Sequence, residues 1–279
     1  MLNHKNEFLE STRLHSASIC VILLTSWLNM TAQSTNPTLT DRPTETRDRI
    51  LEAALREFSS SGLAGARMDQ IAAAASVNKA LLYYYFDSKE NLYAAALEMI
   101  SAKIRDRSMS VFLLKVTPGE RLLRTALDHF DRILSQGEFQ SLMQQEMMRL
   151  HHGEGAALPI LVKRVFAPLQ AMYQAMMREG ISSGELIDVD WMQIHLAALG
   201  ANVFYFLAAP VWKLIMPFDP FAPDVLAARR RAVVEFLGQA VFIDRKHGAE
   251  LAARVIADTP MPELPAKPQI FGRSNERTK

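Results

Sequence analysis

The sequence predicts an all-α protein, and three observations support that fold class. Apolar residues recur at spacings of three and four through most of residues 43–248, which is the period of a helix with one buried face. Alanine, leucine and methionine dominate, whereas runs of β-branched residues are rare. Glycine is sparse, with 12 copies in 279 residues. A chain of this length can bury one large core or two modest ones.

Residues 1–42 differ from the rest of the chain and are interpreted as a disordered leader. The apolar run from Ile19 to Leu24 follows Lys5 and Arg13, so a secretion signal is the alternative. The run is short for a signal and far too short to span a membrane, and Met30 is an alternative start of translation. The single Cys20 excludes an intrachain disulfide and suits a reducing cytoplasm.

The first helix is predicted over residues 43–61. Thr44 or Thr46 can cap its start, and Gly62 ends it. Its buried face is an apolar stripe made of Ile50, Leu51, Ala54, Leu55 and Phe58.

Residues 68–90 form the stretch around which the chain is organised. A short helix with Ile71 and Ala75 inward is followed by a break at residues 76–78, and a second short helix then begins at Lys79. Leu82 and Phe86 of the second helix face inward, four residues apart. The outer side of that helix carries Lys79, Ala80, Tyr83 and Tyr84. This pattern predicts a helix-turn-helix, whose second helix enters the DNA major groove.

With the helix before it and the residues after it, this stretch resembles the N-terminal domain of the TetR/AcrR family of transcriptional regulators. The resemblance implies a three-helix reading head that binds DNA and a larger helical domain behind it. The residues that carry it, in the family's spacing, are Ile50, Ala53, Ala54, Phe58, Gly62, Ile71, Ala72, Ala75, Val77, Lys79, Leu82, Tyr83, Phe86, Ser88, Lys89 and Leu92.

Several positions depart from the family pattern. Ala66-Arg67 stands where Thr or Ser usually caps the next helix, so we expect that cap to be lost and Arg67 to contact phosphate itself. Ser76 replaces the usual Gly of the turn, which predicts a strained or different turn. Asn78 replaces a common Ser or Thr and can still cap the second helix, and Ala80 replaces a frequent Gly. These departures leave the operator sequence undetermined.

The outer face and the resemblance together predict the DNA contacts as Arg67, Asn78, Lys79, Ala80, Tyr83, Tyr84 and Lys89. Lys79 can bond to guanine or phosphate, Tyr83 can donate to phosphate, and Tyr84 can touch a base edge or a thymine methyl. The alternative is that Tyr85 points outward instead of Tyr84. Residues 41–92 carry seven basic and eight acidic side chains, so binding depends on where the positive charges lie.

Further helices follow, separated by Gly and Pro. They are predicted over residues 88–112, 121–135, 139–151, 159–180, 191–209 and 224–246. Pro168 predicts a kink and Pro210 an end to its helix. We assign residues 43–90 to the DNA-binding domain, residues 91–248 to an effector-binding and dimerisation domain, and residues 249–279 to a disordered tail.

The last two predicted helices carry apolar stripes that suit an isologous dimer seam. In the TetR/AcrR family such helices pair with their copies in a second subunit, and a palindromic operator requires a two-fold symmetric protein. We therefore expect a homodimer, with burial inside one subunit as the alternative. The stripes are Met192, Leu196, Leu199, Val203 and Phe206, and then Val225, Ala228, Ala232, Val233, Phe236, Leu237 and Ala240.

An effector site is predicted in residues 91–248. Methionine and aromatic side chains adapt to apolar or aromatic ligands, and a buried His or Asn needs a partner, which a ligand can supply. The alternatives are ordinary core positions, a satisfied polar pair or a place in the dimer seam. The candidate residues are Met147, Met172, Met176, Trp191, His195, Asn202 and Tyr205.

The sequence shows no motif for catalysis, a metal or a cofactor. It contains no phosphate-binding glycine loop and no Gly-x-Ser-x-Gly, and the adjacent His151 and His152 do not converge on one ion. We therefore expect no enzymatic activity, no cofactor, no metal and no membrane partner. The prediction is a cytoplasmic repressor released from a palindromic operator by a small apolar ligand. The alternative is a DNA-binding protein without such an effector, controlled by a protein partner.

Overall fold

The computed structural model describes residues 41–154 and 157–263, so residues 1–40 of the predicted leader (1–42) and residues 264–279 of the predicted tail lie outside them. Asp41 and Arg42 begin the first helix, so the leader assignment was wrong at its last two residues. Regular structure in the described ranges is helical, which confirms the all-α prediction, and one isolated antiparallel bridge joins Leu186 to Phe242. In chain order the helices are α1 (Asp41–Gly65), α2 (Met68–Ala74), α3 (Lys79–Phe86), α4 (Lys89–Phe112), α5 (Pro118–Ser135), α6 (Gly137–His151), α7 (Ala157–Leu161), α8 (Ala167–Ser182), α9 (Trp191–Ile215), α10 (Pro223–Ala240) and α11 (Arg245–Asp258).

The reading head consists of α1, α2 and α3. The apolar stripe predicted for α1 is buried, and Gly62 breaks the helical conformation with a φ of 70° and a ψ of 171°. Ile71 and Leu82 are fully buried and Phe86 nearly so. The predicted inward faces of α2 and α3 are therefore confirmed.

The hydrophobic core of the reading head continues beyond residue 90. From Arg47 onward the described residues belong to one compact unit. The added core residues come from α4, α6 and α7 and include Leu92, Ala96, Leu97, Ile100, Phe139, Leu142, Met143, Leu158 and Leu161. The three helices of the reading head therefore share their hydrophobic core with α4, α6 and α7.

The helix predicted over residues 159–180 is interrupted before Pro168. Val162–Phe166 form a π-helical turn between α7 and α8. Pro168 is the second residue of α8 and follows directly on this π-turn. The helical irregularity predicted at Pro168 therefore lies in the π-helical turn directly before it.

α9 runs further than predicted. It continues to Ile215 with Pro210 inside it, so the expectation that Pro210 ends the helix was wrong. Pro210 is exposed, and because it lacks an N–H, the Phe206 carbonyl one turn earlier loses its usual intrahelical partner. The helix nevertheless continues six residues beyond its predicted end at Ala209.

The predicted tail over residues 249–279 was wrong at its start, because α11 occupies Arg245–Asp258. Asp244 caps α11 by accepting bonds from the backbone N–H groups of Lys246 and His247. α10 and α11 pack backbone against backbone, since a Cβ placed on Gly238 would lie 2.5 Å from the Gly248 carbonyl oxygen. Leu251, Ala252 and Val255 of α11 are buried in the second core, which also contains parts of α5, α8 and α10.

Candidate DNA-reading face and effector region

The turn between α2 and α3 has the strain that the sequence predicted. Ser76 adopts a φ of 54°, a left-handed conformation that favours glycine. Asn78 caps α3 by accepting a 2.8 Å hydrogen bond from the Leu81 N–H, so its predicted capping role is confirmed.

The start of α2 lacks a side-chain cap, as the Ala66-Arg67 pair implied. A carboxylate from α1 compensates in part, because Glu57 Oε1 accepts the Arg67 backbone N–H at 3.1 Å. The Arg67 side chain is exposed. Sequence reasoning missed Glu57, since ten residues separate it from the helix start that it contacts.

The outer face of α3 is exposed and aromatic. Tyr84 is 79% exposed and Tyr83 is 42% exposed. Tyr85 packs against the core of the reading head and contacts the rings of Tyr84 and Phe86. The alternative in which Tyr85 faces outward is therefore wrong. Asn78, Lys79 and Ala80 are exposed beside the two outer tyrosines.

The two lysines of the predicted DNA contacts are already engaged in the unbound protein. Lys79 Nζ lies 3.0 Å from Asp69 Oδ1 of α2, and both side chains are about half exposed. Lys89 Nζ donates to the Ala64 carbonyl oxygen at 3.1 Å, near the end of α1. Each ammonium has three N–H donors, so both retain donors for a phosphate. Asp69 is an acidic neighbour that sequence reasoning did not identify.

Four of the predicted effector residues surround Tyr173, a residue of α8. Met176 is buried, and Met172 and Trp191 are half-buried against the same core. The Tyr173 ring centroid lies 4.3 Å from that of His195 and 6.3 Å from that of Trp191. The structure therefore brings Met172, Met176, Trp191 and His195 together.

Asn202 lies further along α9 and is fully buried against α5. Its Nδ2 donates to the Ala126 carbonyl oxygen at 3.1 Å and lies 3.3 Å from His129 Nδ1. Burial, with the nearby charge of Arg132, lowers the pKa of His129 to about 3, so the imidazole is neutral at physiological pH. His129 was not identified from the sequence, although it faces inward from a strongly amphipathic helix.

Two predicted effector residues lie elsewhere. Met147 is 60% exposed on α6 and does not face the interior, which corrects its assignment. Tyr205 lines a separate groove of about 380 Å³ with Trp212, and its hydroxyl donates to the Pro220 carbonyl oxygen at 2.7 Å. Both residues were assigned to one effector site, but Tyr205 faces the groove with Trp212 and not His195.

Side chains of α6 connect the reading head to the rest of the described chain, helices α4–α11, which we call the body. Tyr93 of α4 donates a 2.8 Å hydrogen bond to the fully buried Glu146, which also accepts from Arg149 at 3.0 Å. The neighbouring Gln145 donates to the Ser59 carbonyl oxygen of α1 at 3.1 Å. Helix α6 is therefore hydrogen-bonded to both α1 and α4.

A large apolar surface extends over α9 and α10. Among the described residues, α9 is the one helix long and apolar enough to cross a membrane, and 28% of its most apolar stretch is buried in the protein. The sequence of α9 also includes the polar residues His195 and Asn202. Exposed apolar residues of the two helices are Leu196, Phe204, Leu207, Val211, Leu214, Ile215 and Phe236.

Comparison with known proteins identifies the family. Residues 50–96 match the profile described as bacterial regulatory proteins, tetR family, and residues 118–237 match the tetracyclin repressor-like C-terminal domain. The HTH-type transcriptional regulator RutR of Escherichia coli K12 is 55% identical over 183 residues, which cover 64% of this chain and 76% of that relative. The chain belongs to the TetR family.

Other relatives agree with this membership. The HTH-type transcriptional repressor NicS of Pseudomonas putida is 29% identical over 161 residues, 58% of this chain and 74% of the relative. A solved transcriptional regulator from Saccharomonospora viridis, in complex with choline, has a TM-score of 0.56 at 18% identity and covers 71% of this chain and 98% of its own. That structure shows the shared fold alone. The chain is thus a DNA-binding transcriptional regulator of the TetR family.

Proposed function

We propose that this TetR-family regulator is a homodimeric repressor that reads a palindromic operator through α3 and leaves it when a small ligand binds the body. The outer face of α3 is the observation that carries the proposal. It presents Lys79, Tyr83 and Tyr84 to solvent from a helix whose opposite side is anchored by Leu82 and Phe86. A rigid helix with an exposed polar-aromatic face is suited to the major groove.

The contacts divide into positioning and reading. Arg67, Lys89 and Tyr83 lie at helix ends or the rim of the face and are assigned to phosphates, which position the protein. Ala80 and Tyr84 are assigned to base edges, and Lys79 to either a phosphate or a guanine. The Asn78 side-chain oxygen is used by the cap, so its amide nitrogen is the atom left for DNA.

The apolar surface of α9 and α10 is assigned to the dimer. An exposed apolar stripe of this extent marks an interaction site, because monomeric soluble proteins rarely leave such patches uncovered. A two-fold axis through this surface would place two reading heads on one palindrome. Dimer burial also accounts for the hydropathy of α9 without a membrane, and the protein would then act in the cytoplasm.

The effector is assigned to the region around Tyr173, where aromatic and methionine side chains of α8 lie beside the first turns of α9. Ligand binding would release the operator only if the ligand prefers a conformation in which the heads no longer match successive major grooves. The contacts of Gln145 and Glu146 with α1 and α4 offer a route for that change.

Selection of bound duplexes from a random pool tests the proposal, using protein that starts at Met30. The expected result is one enriched palindrome, bound by two subunits in analytical ultracentrifugation at moderate salt. A folded protein that enriches no sequence, or that binds an asymmetric site as a monomer, would refute the operator and dimer assignments. A ligand that binds the body without weakening the operator complex would refute release.

A further inference from the structure

A groove opens on the apolar surface of α9 and α10. Its volume is about 380 Å³, and the aromatic side chains of Phe204, Tyr205, Trp212 and Phe218 form most of its walls. Arg229 of α10 is the charged residue among those that line it. Phe204 is 60% exposed and belongs both to this groove and to the exposed apolar face of α9. A partner that covers the apolar face therefore also covers the groove, which we call the Arg229 groove.

The Arg229 side chain is held in place in this groove without a counter-charge. Its Nη2 donates to the Ala201 carbonyl oxygen at 3.0 Å, and its Cζ lies 5.4 Å from the centroid of the Tyr205 ring. In the described part of the chain no carboxylate forms an ion pair with Arg229, and Asp219, whose charge acts on Tyr205, pairs with Lys213 at 3.4 Å. Because a planar guanidinium stacks on aromatic rings, the face turned away from Tyr205 can accept a second ring.

The same surface carries an aromatic side chain that is largely uncovered. Phe236 lies on the exposed face of α10 and is 66% exposed. Arg229 and Phe236 are seven residues apart, which is close to two helical turns, so both point to the same side of α10. The exposed Ala232 lies midway between them. A small side chain at this position allows a second helix to approach closely.

Two-fold symmetry relates these two positions. In an isologous dimer one surface meets its own copy, so a projecting side chain and the groove that receives it must both belong to that surface. When two copies of α10 cross antiparallel, residue 229 of one lies opposite residue 236 of the other if the axis passes between Ala232 and Val233. That point lies within about one residue of the middle of α10, which runs from Pro223 to Ala240. The helix is therefore centred on the axis that this pairing requires.

We propose that Phe236 of each subunit enters the Arg229 groove of the other, with its ring against the guanidinium on the side opposite Tyr205. The two α10 helices then cross antiparallel at Ala232. The contact occurs twice in the dimer, and each phenylalanine brings an aromatic side chain of about 150–250 Å² to the interface. This inference rests on the proposed homodimer and specifies the residues and the register of its interface.

Sedimentation equilibrium of the full chain tests the contact through a double-mutant cycle. Phe236→Ala and Arg229→Ala should each raise the Kd of the dimer at least tenfold. The double variant should raise it no further than the stronger single change, because both remove the same contact. Ile160→Ala is the matched control, since Ile160 is a 50% exposed apolar residue of α7, and it should leave the Kd within about twofold. The proposal is overturned if Phe236→Ala behaves like this control, or if the two effects multiply.

Cross-linking tests the register independently of affinity, in a full chain that carries Cys20→Ser and so has no other cysteine. Ala232→Cys places a thiol beside the axis, where it meets its own copy within the Cα separation of about 4.4–6.8 Å that a disulfide needs. In Ala228→Cys, the matched control, the two copies are about 13 Å apart along the helices, which is beyond that reach. Under mild oxidation Ala232→Cys should give a disulfide-linked dimer on a non-reducing gel and Ala228→Cys should not. Preferential cross-linking through position 228 overturns the register.

The unsubstituted chain separates this inference from the proposed function. If it sediments as a monomer, the proposed dimer and this contact both fail. If it is dimeric and binds the palindrome, but Phe236→Ala dimerises equally well, the contact is wrong and the proposed function stands. A groove that holds a small apolar ligand instead of the second subunit gives this last result.

Discussion

Asp131 and Arg230 form a bidentate salt bridge inside the body, although 99 residues separate them in the sequence. The Arg230 Nε and Nη2 atoms lie 2.7 and 2.8 Å from the two carboxylate oxygens of Asp131, and both side chains are at most 5% exposed. The same guanidinium donates to the Thr259 carbonyl oxygen at 3.1 Å. This pair connects α5, α10 and the end of α11.

Arg230→Leu should strongly destabilise the fold. Removal of the guanidinium leaves a buried carboxylate without a counter-charge, which costs about 3–5 kcal/mol of the free energy of unfolding. Urea denaturation at one protein concentration measures the loss. Lys246→Met is the matched control, because Lys246 and Glu250 form an exposed pair at 4.0 Å, and it should change stability by less than about 0.5 kcal/mol. Equal losses in the two variants would show that the buried pair has no special role.

Ser76→Gly should stabilise the reading head. The left-handed conformation of Ser76 costs a residue with a Cβ about 1–2 kcal/mol, and the greater freedom of glycine in the unfolded chain returns about half of that. We expect a gain of about 0.5–1 kcal/mol in thermal or urea unfolding. Ala94→Gly, at an exposed position inside α4, should instead lose about 0.5–1 kcal/mol. A loss in both variants would mean that the turn is not strained.

Lys79→Ala should weaken operator binding at every sequence position alike if Lys79 contacts phosphate. The slope of log affinity against log salt should then fall by about one. Asp69→Asn should act in the opposite direction and raise affinity at low salt, because it frees the ammonium now held at 3.0 Å. Fluorescence anisotropy over a salt series measures both. A Lys79 contact with guanine would instead show as relaxed specificity at one base pair.

Tyr84→Ala should lower operator affinity by about 1–3 kcal/mol without lowering thermal stability, since this side chain is 79% exposed. Tyr85→Ala provides the contrast, because Tyr85 packs against the core of the reading head and its loss should lower stability. Binding assays and thermal unfolding of the two variants give the comparison. If Tyr85→Ala left stability intact and abolished binding, the orientation of α3 would be wrong.

His129 should make the fold less stable as the pH falls. The unfolded chain protonates this imidazole below pH 6.5, whereas burial lowers its folded pKa to about 3. Its contribution is therefore complete above pH 6.5 and is lost on acidification, by about 2 kcal/mol at pH 5. His129→Gln keeps an acceptor for Asn202 and should lose that much less between pH 7 and pH 5. Asp131, whose pKa burial raises, acts in the opposite direction, but it is common to both proteins.

The sequence by itself determined the reading head, because its signals are local. Ile71, Leu82 and Phe86 fall on buried faces by helical period, Asn78 caps α3, and Ser76 strains the turn, and each can be read within a few neighbouring residues. The family resemblance rests on the same short stretch. Tyr84 and Tyr85 were harder to distinguish, since neighbours in a helix differ by only about 100° in direction.

Tertiary structure decided the features that depend on distant residues or on accessibility. The helical period of the sequence did not show that Met147 faces solvent or that Tyr205 points away from His195. It also did not show that α10 and α11 pack against each other at Gly238 and Gly248. The partner of Arg230 lies 99 residues away, and no local pattern encodes such a pair. The buried hydrogen bond from Asn202 to the Ala126 carbonyl likewise exists only once α5 and α9 are packed together.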